Sequence, residues 1–340
     1  MSSEAWLARD LAGGRVQCRA CLHLCCLEEG QYGLCGIRRV QKGRLRLLVY
    51  GQAAALNLDP IEKKPFYHLL PGSQSLSIGT VGCNFSCRFC QNAAISQAPK
   101  EQRGTLPGHP WPPDRIVTQA QAVGAASISY TYNEPAVFFE YAFDTMVLAH
   151  EAGLKNLFVT SGYETRWLLD RAAGVLDGMN IDLKAFSDRF YREICGARLK
   201  PVLHTIEAAY RRNIWLEITT LIIPGLNDSD RELEAIAAFI AGLDPHIPWH
   251  ISRFFPTYLM TDRPPTPPKT LLRAYAIGQA AGLKHLYVGN LNDPAHTSTY
   301  CPKCQRIVIA RRGHLGEQIH SHLSGDRCAA CQERIAGVFL

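Results

Sequence analysis

No uninterrupted apolar run in the 340 residues approaches the ~20 that a membrane-spanning helix needs. The opening, Met1-Ser2-Ser3-Glu4-Ala5-Trp6, lacks the basic-then-apolar pattern of a secretory signal, so a cytoplasmic protein is expected. Net charge is scarce too. A balance of +6 over this length speaks for a solvated surface rather than a nucleic-acid face. Hydrophobic content of 47% and charged content of 19% are those of an ordinary globular chain, long enough for one sizeable core with small appendages.

What the chain has in quantity is cysteine, with thirteen residues. A short secreted protein would put them in disulfides; in a long chain without an export signal, metal ligation is the better reading. They fall into groups. Cys18, Cys21, Cys25, Cys26 and Cys35 lie near the start, Cys83, Cys87 and Cys90 follow, and Cys301, Cys304, Cys328 and Cys331 lie near the end. Cys195 stands alone and reads as a small buried hydrophobe.

The middle group sits in Gly82-Cys-Asn-Phe-Ser-Cys-Arg-Phe-Cys-Gln-Asn92, spaced C-x3-C-x2-C with Phe89 before the third thiol. A cubane 4Fe–4S cluster has four iron corners, and three local thiolates with no obvious fourth leave one corner open. An open metal position marks a site that binds a substrate or cofactor rather than one that braces the fold. Gly82 and Asn84 permit the tight turns of a loop wrapped around a cluster. The competing reading is a zinc loop or three unrelated buried thiols.

At the start, thiolates from Cys18, Cys21, Cys25 and Cys35 would complete a tetrahedral zinc or a closed auxiliary Fe–S cluster, with Cys26 or His23 able to replace one of them. At the end, Cys301-Pro-Lys-Cys304 and Cys328-Ala-Ala-Cys331 form the paired-knuckle pattern of a structural zinc ribbon; an electron-relay cluster or a nucleic-acid-binding ribbon is the other option.

Three regions follow: a cysteine-rich segment and lead-in over 1–74, an α/β region over 75–290, and a zinc-ribbon-like segment over 291–340. Arg44–Tyr50 reads as a strand, and Asp59-Pro-Ile-Glu-Lys-Lys-Pro65, taken alone, as a surface loop. Strands are predicted over Ser75–Val81, Ser127–Tyr132, Asn156–Thr160, Met179–Leu183, Ile214–Ile222, Trp249–Arg253 and His285–Val288. Helices between them include Pro135–Ala152, Glu164–Ala173, Asp230–Gly242 and Pro268–Ala281. This alternation implies a parallel sheet with right-handed crossovers, in a partial or nearly closed TIM-type (β/α) barrel. Chemistry in such barrels gathers at the C-terminal ends of the strands. The cysteine loop follows the first strand, and Glu134, Thr160, Asp182 with Lys184, and His250 follow or end later ones. Each has a bland reading as a cap, an ion pair or a core histidine; together on one rim they read as a site.

The cysteine stretch resembles the signature of the radical S-adenosylmethionine (SAM) superfamily. Cys35-Gly-Ile-Arg38, the Asp59–Pro65 run, Cys90-Gln-Asn92, Tyr132-Asn-Glu-Pro135, Asp182-Leu-Lys184, Ile223-Pro-Gly225, Tyr287-Val-Gly-Asn290 and the terminal ribbon extend the likeness. With them the chain resembles the AmmeMemoRadiSam-system radical SAM enzymes, relatives of pyruvate formate-lyase activating enzyme. That resemblance implies a 4Fe–4S cluster on Cys83, Cys87 and Cys90, SAM on the open iron, and an oxidoreductase that cleaves SAM reductively to a 5′-deoxyadenosyl radical. It implies that Glu134, with Asn133, takes the SAM amino group, although Tyr132-Asn133 stands where the activating enzymes have two glycines. Phe89, Asn92, Thr160, Asp182, Lys184 and His250 fall where the family contacts SAM. The Asp59–Pro65 run becomes a candidate site element.

The implied partners are an electron donor such as flavodoxin or ferredoxin, and Memo-like and AMMECR-like proteins; neither a membrane nor a nucleic acid is expected. The substrate is a glycyl-radical protein acting in trans, another protein or peptide, or a metabolite. Two readings of other classes compete: a non-catalytic multi-metal scaffold or RNA-binding protein that grips RNA with its cysteine-rich ribbons, and an electron-transfer protein.

Overall fold

Eight strands lie in one sheet in the order of the sequence: β1 (Ala55–Pro60), β2 (Gln74–Gly79), β3 (Ser127–Tyr130), β4 (Lys155–Thr160), β5 (Gly178–Asp182), β6 (Trp215–Ile222), β7 (Trp249–Arg253) and β8 (Leu286–Gly289). The computed structural model describes residues 3–104, 106–313 and 318–339. Met1 and Ser2, read above for a leader, and 314–317 with Leu340 in the terminal segment lie outside them. β2 to β8 pair in parallel, as the strand–helix alternation requires. β1 comes from the lead-in and runs antiparallel along β2. β1 and β8 are the two edges of the sheet, so the barrel is partial rather than closed.

The helices that return the chain include α1 (Pro113–Ala122), α2 (Phe139–Glu151), α3 (Arg166–Ala172), α4 (Leu199–Tyr210), α5 (Asp230–Leu243) and α6 (Pro268–Ala280). Their starts carry the expected signals. Thr165 and Ser229 accept the N–H groups of Leu168 and Glu232, and proline opens α1 and α6. No helix among the described residues is long and apolar enough to cross a membrane.

Residues paired across parallel strands share a face, so the register sorts the sheet. Tyr130, Phe158, Met179, Leu216 and Trp249 form the apolar outer side. Apart from Leu157 and Val159 of β4, the inner row runs through Ser77, Ser129, Asn180, Glu217, Thr219, His250 and Tyr287. It is polar where barrels of this kind usually carry Val, Ile and Leu.

A plug explains the difference. The chain from Ile61 to Leu70 crosses the inner face instead of lying on the surface. Ile61, Phe66, Leu69 and Leu70 cluster with Leu157 of β4. Asn180 donates to the Pro65 carbonyl at 2.8 Å, and Glu217 accepts the N–H groups of Tyr67 and His68 at 2.8–3.0 Å. Gly178 leaves room for it, because a Cβ there would stand 2.7 Å from Leu69 Cδ1. The expectation of a surface loop at Asp59–Pro65 is therefore corrected: Asp59, Glu62 and Lys64 are buried and paired, and Lys63 reaches Asp59 from the exposed side. Glu62 meets Arg311 of the terminal segment at 3.6 Å, with both side chains buried.

The terminal segment builds an antiparallel sheet from Thr299–Tyr300, Ile307–Arg312 and Gln318–Ser321, and grips the plug. Arg311 donates to the Tyr67 carbonyl at 2.7 Å, the Leu70 N–H to the Val338 carbonyl at 2.8 Å, and the Val338 N–H to the His68 carbonyl at 2.7 Å. At the other end, Ser3–Glu4, Arg38–Gln41 and Arg44–Leu47 form a small sheet. It clasps α2 through the buried Arg38–Glu140 pair, whose disruption would cost about 3–5 kcal/mol.

Candidate metal and cofactor site

The loop after β2 owes its shape to Gly82, at φ +88°, where a Cβ would lie 2.6 Å from Ile37 Cγ2 and 2.7 Å from the Cys35 carbonyl oxygen. Cys83 and Cys87 are buried and Cys90 half-buried. The Cys83 sulfur accepts the Phe85 N–H at 3.4 Å, and Cys90 lies 3.2 Å from Ser96 Oγ. Burial, then the Glu134 carboxylate, pushes the Cys83 thiol well up. Contact with the Cys195 thiol, then burial, does the same for Cys87. Nearby, Asn84 Nδ2 and Asn133 Oδ1 are buried without partners. Sulfur ligands that water cannot serve, beside unused polar atoms, fit a soft metal cluster with a polar ligand attached.

The rim residues assemble around this loop. Asn92 Nδ2 donates to the Tyr132 carbonyl at 2.8 Å, and Asn133 Nδ2 to the Gly82 carbonyl at 2.7 Å. Tyr132 holds φ +68°, a left-handed conformation that costs a side-chain-bearing residue roughly 1–2 kcal/mol. Glu134, almost wholly buried, accepts from Ser161 N–H at 2.9 Å, Ala136 N–H at 3.3 Å and Thr160 Oγ1 at 2.7 Å. Lys184 reaches Asp182 at 2.7 Å and lies 6.0 Å from the Phe89 ring centroid. Burial opposes its charge, yet Asp182 and the thiols of Cys87 and Cys195 hold it well above the ordinary lysine value.

His250 stands in the row of Asp182, two strands along through Thr219, and contacts the plug. Its Nε2 is 2.6 Å from Glu217, its ring stacks on Tyr287 at 5.2 Å and meets Tyr67 at 4.7 Å, so it belongs with the plug.

Three residues escaped the sequence reading. Cys195 is not a solitary core thiol but lies against Cys87, and its carbonyl accepts the Ser86 N–H at 2.8 Å. Lys100 holds the Phe85 carbonyl at 2.5 Å among the thiols of Cys83, Cys35, Cys87 and Cys90. Glu164 lies 2.5 Å from the same Thr160 hydroxyl that serves Glu134. One hydroxyl has one proton, so one of the two carboxyls must itself be the donor. Glu164 is that one: its second oxygen is buried without a partner, and burial followed by the Glu134 charge raises it well above the ordinary value. Only the strand-end position of Thr160 pointed toward Glu164, whereas Glu134 was read from its own strand end.

Of the opening cysteines, Cys18, Cys21 and Cys35 are buried and Cys25 half-buried. Burial pushes all four thiols up, and Cys21 most, with Cys18, Cys35 and Cys25 adding to the shift as its neighbours. Cys26 is exposed, with its sulfur 3.6 Å from the Leu24 carbonyl, and His23 packs on Tyr163 at 4.8 Å. Cys26 thus faces solvent, whereas His23 Nε2 is buried without a partner and keeps the option of standing in for one thiol.

At the other end the ligand atoms of Cys301, Cys304, Cys328 and Cys331 all lie within 4.8 Å of one another. The Cys301–Cys331 and Cys304–Cys328 sulfurs are 3.5 and 3.8 Å apart. A tetrahedron with ~2.3 Å metal–sulfur bonds has edges of roughly 3.8 Å, so the set fits one ion.

An open (β/α) sheet with a three-thiol loop leaving its first parallel strand defines the class: a barrel-type α/β protein with a cysteine loop at its mouth. The radical SAM superfamily profile matches residues 77–240. The uncharacterized protein MJ0808 of Methanocaldococcus jannaschii is 39% identical over 333 residues, 98% of each chain. The chain belongs to the radical SAM superfamily. A second protein of that organism, MJ1632, provisionally named a glycyl-radical enzyme activating enzyme, is 27% identical over 186 residues, 54% of this chain and 68% of its own. Among solved structures, a domain of pyruvate-formate lyase-activating enzyme from Bacteroides vulgatus aligns with 48% of this chain and 99% of its own at 18% identity, TM-score 0.43. A radical SAM methyltransferase from Sphaerobacter thermophilus aligns with 65% and 67% at 18% identity, TM-score 0.49.

Proposed function

We propose that the protein is a radical SAM oxidoreductase. Cys83, Cys87 and Cys90 would hold a 4Fe–4S cluster, which when bound supplies the electron that opens the SAM sulfonium to a 5′-deoxyadenosyl radical, the agent of hydrogen abstraction from the substrate. The observation that carries the reading is the meeting of two buried thiols, Cys83 and Cys87, and the half-buried Cys90 with a buried carboxylate, Glu134, and a buried ammonium, Lys184. Opposite charges on one rim suit the two ends of an amino acid, an ammonium facing Glu134 and a carboxylate facing Lys184. Asn92 and Asn133 brace the turn between them. Burial of Cys83, Cys87 and Phe89 shields that side of the loop from water.

A protein activated in trans is the substrate class that the name of MJ1632 supports. A flavodoxin- or ferredoxin-like donor and Memo-like and AMMECR-like proteins are its proposed partners. Zinc is proposed for the terminal four cysteines, on their single-ion spacing. The opening four would take zinc or a second cluster.

The test is anaerobic reconstitution followed by assay of reductant-dependent 5′-deoxyadenosine. Wild type should form it and Cys87→Ala should not; equal activity in the two sinks the proposal. Metal analysis should give iron and sulfide near four each, or about eight iron if the opening set holds a second cluster.

A further inference from the structure

We propose that Asn57, Asp59 and Lys64 are positioning residues for the cofactor-binding turn and act on it through the side chain of Tyr132; the inference rests on the reading of Asn133 and Glu134 given above. Tyr132 occupies φ +68°, backbone that glycine enters freely and tyrosine does not. Its carbonyl takes the Asn92 amide, and the next two residues are Asn133, bound to the Gly82 carbonyl, and Glu134. The conformation of this one residue therefore sets where the turn meets the thiol loop.

Something must hold it there, and the lead-in does. The Tyr132 hydroxyl donates to Asp59 Oδ2 at 2.9 Å and accepts from Asn57 Nδ2 at 2.9 Å. The Lys64 ammonium stands 4.5 Å from the centroid of the Tyr132 ring and 2.8 Å from the same Asp59 oxygen, while Lys63 takes the other oxygen at 2.7 Å. Asp59 is itself fixed, because β1 pairs it with Ser75 of β2. The aromatic side chain is the handle by which the edge strand grips a turn that carries no glycine at this position. A strained residue held by several independent contacts is the pattern expected where geometry serves a site.

SAM binding to the reduced, reconstituted holoenzyme, read from the change in its electron paramagnetic resonance signal, provides the test, alongside KM and kcat for 5′-deoxyadenosine. Asp59→Ala should weaken SAM binding about tenfold, the size of one charge-assisted hydrogen bond, and raise KM for SAM while kcat at saturation stays within about twofold. Tyr132→Phe and Asn57→Ala should give smaller losses in the same direction. With Tyr132→Gly in place the backbone needs no handle, and adding Asp59→Ala should change SAM affinity less than about twofold. Unchanged affinity in Asp59→Ala with full cluster content, or an equal loss with and without Tyr132→Gly, overturns the proposal. Should Asp59→Ala fail to hold its cluster, the milder Tyr132→Phe and the exposed-site Asn57→Ala decide: wild-type affinity in both overturns it, a shared loss supports it. A wild type that shows no SAM-dependent signal and forms no 5′-deoxyadenosine removes the cofactor reading itself, and this inference with it.

Discussion

Cys195 and Glu164 show how much of a site is decided by side chains that no motif contains. Cys195 is fully buried against Cys87, and the main chain around it holds the cysteine loop, with Arg88 donating to the Ile194 carbonyl at 3.0 Å. A fourth thiol so close to a three-thiol loop is either a ligand that closes the cluster or packing behind Cys87. Packing is the expected outcome. Cys195→Ala should keep its iron, sulfide and SAM-dependent spectral change, while Cys87→Ala should lose all three; loss of iron in Cys195→Ala would show a sealed corner. Glu164 makes a different prediction. Its raised pKa means that its contribution is whole below the ordinary glutamate value and is lost as pH climbs toward the raised one. Glu164→Gln supplies a permanent donor to Thr160, so it should match wild type near pH 5 and lose less thermal stability than wild type between pH 5 and 8. A steeper loss in Glu164→Gln would show that the carboxyl is ionised in the fold.

The seven parallel strands were legible because each is a short apolar run between helices with starting signals, and their ends moved by only one or two residues. β1 was not, since Ala55-Leu-Asn-Leu-Asp-Pro60 is half polar and ends in proline, a pattern allowed only at an edge. The plug was hidden for a physical reason. Its charges look solvent-bound in one dimension, yet Glu62 finds Arg311 far along the chain and Asp59 finds Tyr132. The cysteines of the site were plain from their spacing, whereas Glu164 and Lys100 act through contacts that spacing does not encode. The plug also sets the energetics of this layer. Phe66 is wholly buried among Ile61, Leu69 and Leu157. Phe66→Ala should cost about 3–5 kcal/mol in urea unfolding, the range for a buried aromatic, and a cost below ~1 kcal/mol would mean that the run does not fill the barrel.

Across the whole molecule, the plug is the part that both the sheet and the terminal segment hold, and His68 is where they meet. Its Nδ1 lies 2.6 Å from the Ala336 carbonyl and its Nε2 2.5 Å from the Tyr287 hydroxyl. Burial, with the Arg311 charge and the imidazoles of His250 and His246, lowers it to about 3 against the hydrogen bond to the Ala336 carbonyl. His285, 4.3 Å away ring to ring, is lowered as well, mainly by burial and then by His68. A folded value below the ordinary one of ~6.5 means that protons prefer the unfolded chain. The stability that the neutral ring contributes is whole above ~6.5 and drains away as pH falls toward the folded value. Between pH 7 and 5 that is about 2 kcal/mol, concentrated where the terminal segment docks. Amides of Thr299–Tyr300 and Ile307–Arg312 should therefore exchange faster at pH 5, after correction for intrinsic rates, than amides of β4 and β5 do. In His68→Gln, which cannot titrate, that acid-dependent excess should shrink, with His285 left to supply the remainder. Equal acid sensitivity in wild type and His68→Gln would mean that the fastening of the ribbon to the barrel lies in Arg311 and its partners, not in a neutral imidazole.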